Sequence, residues 1–139
     1  MSFERILCAV DFSPDSLQAF CVAVEMARPH SGSLLVFHVI EAQPAVSPDA
    51  LIEINKRAND AITELIASAG SALERLTVNA QVTGGRAFDE IVSLTRVWKA
   101  ELVVLGAKGT TSLEEVFVGG TAEVVVKEAP CSVLVVRRQ

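Results

Sequence analysis

The sequence predicts an α/β domain in which helices cover both faces of a parallel sheet. Three observations point there. Short runs of Val, Ile and Leu alternate along the chain with stretches of helical periodicity. The runs are continuous and do not alternate with polar residues, as expected of strands buried on both faces. The length of 139 residues suits one core and is short for two, so residues 1–139 are expected to form a single domain.

The first strand is expected at Ile6–Val10. Ser13-Pro14 then offers an N-cap followed by Pro at the first helical position. That helix should run to about Arg28 and stop near Pro29. The second strand is Leu34–Ile40. Ser47-Pro48 repeats the start signal and opens a long helix with Leu51, Ile54, Ala58, Ile62, Leu65 and Ala69 on one stripe. A weaker, alternating run at Leu76–Val82 is the third strand. Phe88, Ile91, Val92 and Thr95 mark the third helix, Leu102–Leu105 the fourth strand, Val124, Val125 and Ala129 a short fourth helix before Pro130, and Val133–Val136 the last strand. Strands and helices in strict alternation imply right-handed crossovers. The sizeable loops are Glu41–Ser47 and Ala107–Val118.

Composition excludes several functions. Half the residues are hydrophobic and 21% are charged, which suits a folded chain. The formal charge of −5 repels phosphate backbones, and the nearest approach to a basic patch is Arg137-Arg138, so no nucleic-acid partner is expected. No apolar run approaches the roughly 18–20 residues of a membrane span. The first residues lack the pattern of a signal peptide, and a cytoplasmic location is the expectation. Cys8, Cys21 and Cys131 are odd in number and form no C-x-x-C, against a disulfide framework or a zinc knuckle. Cys8 sits in an apolar run and reads as a core residue. His38 reads as a hydrogen-bonded core or rim residue, His30 as a partner for the end of the first helix. Neither has a second ligand at metal spacing, so no protein-built metal site is expected.

In open α/β sheets ligands bind beyond the carboxyl ends of the strands. The residues there are Asp11-Phe12-Ser13, Glu41-Ala42-Gln43, Gly84-Gly85-Arg86 and Gly106-Ala107-Lys108-Gly109. The last of these is followed by Gly119-Gly120-Thr121 at the start of the fourth helix. One glycine turn after a strand and another opening a helix can grip a polyphosphate from two sides, through close backbone approach and unpaired helix N–H groups. The competing reading makes these glycines ordinary turn and cap residues.

The residues Ile6-Leu7-Cys8-Ala9-Val10-Asp11-Phe12-Ser13, Phe37-His38-Val39-Ile40, the stretch from Gly84 to Ile91 and Ala129-Pro130-Cys131-Ser132-Val133-Leu134-Val135-Val136 resemble the universal stress protein family over essentially the whole chain. Gly106, Gly109 and Gly119 fit that family's ATP-binding pattern G-x2-G-x9-G. The resemblance implies a Rossmann-like open parallel five-stranded sheet of order 3-2-1-4-5. It implies an adenine nucleotide (ATP, ADP or AMP), with Mg²⁺ carried by the phosphates compatible with such a site. By resemblance the base lies near Ala9 and Val39, with Leu105 closing the pocket. Asp11 contacts the ribose or base, and the phosphates lie between Gly106–Gly109 and Gly119-Gly120-Thr121. Lys108 is placed to neutralise phosphate charge. For Ala9, Val39 and Leu105 ordinary core is the alternative, for Lys108 a solvated loop charge, and for Asp11 a charge supporting the first helix through its dipole.

Two positions depart from the family pattern. Gly120 stands where ATP-binding members carry Ser or Thr, with Thr121 one place later. Glu114-Glu115 stand where a basic residue is frequent. A hydroxyl bonded to phosphate contributes about 1.5–3 kcal/mol, or roughly ten- to a hundredfold in affinity. Thr110, Thr111 and Ser112 add hydroxyls of a kind common in any loop. There is no G-x-S-x-G elbow and no Walker A sequence, so no catalytic residue is assigned and at most slow ATP turnover is expected. Two functions follow from the sequence: a nucleotide-binding stress or regulatory protein acting on an unidentified protein partner, or a nucleotide-independent dimeric interaction module. In both, the apolar last strand Val133–Val136 is an edge that needs cover, and the family covers it by pairing two copies in a homodimer.

Overall fold

A computed structural model describes residues 3–41, 46–109 and 118–138. The elements are β1 (Arg5–Ala9), α1 (Pro14–Ala27), β2 (Ser33–Glu41), α2 (Pro48–Ala67), β3 (Thr77–Gly85), α3 (Ala87–Trp98), β4 (Leu102–Gly106), α4 (Gly120–Glu128) and β5 (Ser132–Val136). The five strands form one sheet in the order β3-β2-β1-β4-β5, with each neighbouring pair parallel. This is the α/β architecture and strand order expected above.

Alternation along each strand divides the interior into two cores. Ile6, Cys8 and Val10 of the β1 segment pack with Phe20, Ala23 and Val24 of α1 and Ile62 of α2. Leu7 and Ala9 point the other way, toward Ile91 and Val92 of α3 and Ala122 and Val125 of α4. Helices α1 and α2 therefore cover one face, α3 and α4 the other. Ser13 and Ser47 cap their helices as expected, each side chain accepting a backbone N–H three residues on. Cys8 is fully buried, which pushes its thiol pKa well above the usual range.

Several sequence boundaries move. Strand β3 does not end at Val82: Thr83, Gly84 and Gly85 stay in register with Val39, Ile40 and Glu41. Gly84-Gly85, expected to follow the strand, are thus still part of it, because β2 itself continues to Glu41. Helix α1 stops at Ala27, and Arg28–His30 tighten into a 3₁₀ turn. The stripe of α2 is buried only at Ala58 and Ile62, while Leu51 is exposed, as is its neighbour Ile52. Helix α2 packs against β2 and the edge strand β3, where Val78 and Val82 of β3 join the core that holds Ile62.

Ile62 and Ile52 share one helix but not one environment, at 1% and 68% exposure. Ile62→Ala should lower unfolding free energy by about 2–5 kcal/mol. Ile52→Ala should change it by less than about 0.5 kcal/mol. Urea denaturation of the two variants checks this. In the native protein a thiol reagent should modify exposed Cys21 readily, and Cys8 only on unfolding.

Candidate functional site

The carboxyl ends of β1, β2 and β4 open onto a cavity of about 1010 Å³. All ten residues singled out from the sequence line it: Ala9, Asp11, Val39, Leu105, Gly106, Lys108, Gly109, Gly119, Gly120 and Thr121. Ala9, Val39 and Leu105 are also members of the core on the α3/α4 side, so their apolar faces form the cavity floor. Core packing and lining the cavity are one position for these three.

Beyond β1 the chain must reverse within a few residues to enter α1. Phe12 takes a left-handed conformation at φ 65° to do so. Asp11 stabilises the reversal: its Oδ1 accepts the Ser13 backbone N–H at 3.0 Å and also the Ser13 hydroxyl, an Asx-type turn. The Phe12 ring lies 4.8 Å from the His38 ring. His38 Nδ1 is 2.7 Å from the Val10 carbonyl oxygen, which fixes Nδ1 as the donor. His38 is the hydrogen-bonded rim residue expected from the sequence.

Beyond β4 the chain passes directly over the start of α1. A Cβ on Gly106 would lie 2.7 Å from Ser16 N and 2.8 Å from the Asp15 carbonyl carbon. Both are backbone atoms that cannot move aside cheaply. Gly106 is therefore required by packing against α1, whatever binds in the cavity. A Cβ on Gly109 would lie 2.7 Å from Asp11 Oδ2, which places the Asp11 carboxylate against the turn. Gly120 is different: a Cβ there meets nothing within 4 Å.

The helix starts at this edge differ in one respect. Ser13 caps α1 and Ser47 caps α2. The Glu41 carboxylate accepts the first N–H of α3, from Ala87, at 3.3 Å. Helix α4 has Gly119 at its N-cap position and no capping side chain. The Gly119 N–H donates to the Ala107 carbonyl, and Glu123 is the first residue to bond back into the helix. Among the described residues, no side chain accepts from Gly120, Thr121 or Ala122, all of which line the cavity. Three N–H donors and the positive end of the helix dipole are left at the cavity wall.

Sequence reasoning missed other residues. Arg57 and Ile54 of α2, with Arg86 and Phe88 before and within α3, extend the lining toward β3. Asp15 is the larger omission: it is 7% exposed, and its Oδ2 accepts the Lys108 N–H at 3.1 Å. Thr110, Thr111, Ser112, Glu114 and Glu115, named from the sequence, lie outside the described residues.

The profile of the universal stress protein family matches residues 2–137. The chain belongs to that family. A universal stress protein of Thermus aquaticus is 34% identical, over 97% of this chain and 99% of its own length. The solved universal stress protein UspA of Lactobacillus plantarum superposes with a TM-score of 0.84 at 29% identity, covering 99% of each chain. A universal stress protein of Archaeoglobus fulgidus, solved in complex with dAMP, shares the fold with a TM-score of 0.68 at 21% identity, covering 98% of this chain and 99% of its own. Within this universal stress protein, no described helix is long and apolar enough to cross a membrane.

Gly106→Ala should destabilise the fold by about 1–3 kcal/mol through overpacking. Gly120→Ala should leave stability unchanged or slightly raised, since alanine favours helix over glycine by about 1 kcal/mol. Thermal unfolding of the ligand-free variants separates the two.

Proposed function

We propose that this protein binds an adenine nucleotide at the carboxyl edge of its sheet and uses the bound state to regulate a protein partner. The uncapped start of α4, facing the Gly106–Gly109 turn across the cavity, carries this reading. At each of the other three helix starts at this edge a side chain of the protein accepts one N–H. An anionic group supplies the missing acceptor. The Archaeoglobus fulgidus relative solved with dAMP supports an adenine nucleotide as its source.

In this reading the base rests on the apolar floor at Ala9, Val39 and Leu105. The ribose hydroxyls face Asp11, a carboxylate already held in place by Ser13. The phosphates lie between the Gly106–Gly109 turn and the N–H groups of Gly120 and Thr121, with Lys108 adding positive charge. A Mg²⁺ would ride on the phosphates. A bound nucleotide joins the turn after β4 to the start of α4, so occupancy changes what this end of the molecule presents to a partner. The chain acts as a homodimer through β5, whose outer edge carries half-buried Val133, Leu134 and Val135. A second reading, a dimeric interaction module without nucleotide, is favoured by one observation: Gly120 has no hydroxyl to give a phosphate.

Protein purified and then denatured should release adenine nucleotide, detectable by mass spectrometry. Gly120→Ser has free space around the new Cβ and should tighten ATP by about ten- to a hundredfold in calorimetry. AMP should gain less. Gly109→Val drives bulk into Asp11 and the turn and should abolish binding. If neither wild type nor Gly120→Ser binds any adenine nucleotide, the interaction module is the better reading. Light scattering should give about twice the 14.8 kDa chain mass, and Leu134→Asp should give monomer or insoluble protein.

A further inference from the structure

Asp15 is an acid buried at the first turn of α1, where dipole support alone would leave it in solvent. Its two oxygens serve two distant backbone groups. Oδ2 accepts from Lys108 N at 3.1 Å, 93 residues away and within the turn after β4. Oδ1 accepts from Arg138 N at 3.1 Å, 123 residues away and just past the end of β5. The same turn is tied to β5 a second time, by the Ala107 N–H donating to the Val136 carbonyl at 2.8 Å. The Ser13 hydroxyl, 3.2 Å from the Lys108 carbonyl, adds a contact from α1. A single carboxylate thus holds the glycine turn and the chain leaving the edge strand to one rigid helix start.

We propose that Asp15 is a positioning residue that sets the glycine turn for its anionic ligand and links that turn to the end of β5. Resting on the nucleotide reading above, the proposal adds a route by which occupancy of the cavity reaches the sheet edge. A phosphate drawn to the Lys108 region loads the turn. The turn cannot shift without moving the carboxylate that also holds Arg138. By reciprocity, whatever pairs with the β5 edge acts back on the turn. Charge matters as well as shape. Asparagine has the same outline but one acceptor oxygen, so it presents an NH₂ to one of the two N–H groups it replaces contacts with.

The chain carries its own control. Asp49 follows Ser47-Pro48 as Asp15 follows Ser13-Pro14, but it is exposed on the first turn of α2. Asp49→Asn removes the same charge from the same helical position without touching the turn. In ligand-free protein, Asp15→Asn should speed amide hydrogen exchange at both Lys108 and Arg138 by about tenfold or more. It should weaken ATP by roughly tenfold in calorimetry. ATP should slow exchange at Arg138 in the wild type and not in Asp15→Asn. Asp49→Asn should leave all three readouts as in the wild type. Unchanged exchange at Lys108 or Arg138 in Asp15→Asn overturns the linkage. Unchanged ATP affinity despite faster exchange overturns the positioning role, and equal effects from Asp49→Asn reduce both to loss of helix charge. If the wild type binds no adenine nucleotide, the reading of the cavity falls, while the linkage still stands or falls on the two amides.

Discussion

The pairing of β1 with β2 on one side and β4 on the other is the constraint from which the rest of the structure follows. Leu7 sits between Leu35 and Val103, and Cys8 between Val36 and Val104. With Ile6, they are wholly buried. Alternate residues belong to different cores, so a one-residue slip would send Ile6 and Cys8 toward α3 and α4 and Leu7 toward α1. The register is therefore fixed by packing on both faces at once. It also places the winding reversal between β1 and β4, where the helices that follow them leave on opposite faces and a crevice opens at the carboxyl edge. Asp11 and Gly109 meet across that crevice because these two strands are neighbours.

The polar groups at this edge then follow from what each helix start needs. A helix exposes four N–H donors at its first turn, and something must accept from them or water must. Helices α1 and α2 carry a serine for the purpose, and α3 borrows Glu41 from the end of β2. At α4 the cap position is a glycine. That leaves a positive helix end beside a backbone turn pressed against α1, in a cavity whose floor is apolar. The uncapped helix end favours an anion there.

Much of this was legible in the chain. The strand runs and the Ser-Pro helix starts are local signals, set by side-chain branching, proline geometry and capping chemistry, and apart from the end of β3 they appear within a residue of where the sequence put them. The candidate residues were legible because strand ends determine which side chains reach the carboxyl edge. What local pattern misjudged was reach. The alternating run reads as ending at Val82, yet Gly84 and Gly85 remain strand because β2 extends alongside them to Glu41. Leu51 continues the apolar stripe of α2, yet it is exposed. Arg57 and Arg86, far apart in sequence, line one cavity only because α2 and α3 flank the β2 and β3 ends.

Ser13-Pro14-Asp15 and Ser47-Pro48-Asp49 show where the division lies. By itself the sequence determined that each triplet starts a helix, since the serine side chain and the proline φ act within a few residues. It equally determined that glycines stand at 106, 109, 119 and 120. Only the tertiary structure decided that one aspartate is exposed and the other is buried between two distant amides. Only it decided that Gly106 is demanded by the backbone of α1 while Gly120 has open space around it. The physical reason is that capping and backbone preference are settled by a residue's neighbours in the chain. Burial and close approach are settled by which elements the sheet brings alongside, and β4 and β5 reach Asp15 from the far end of the sequence.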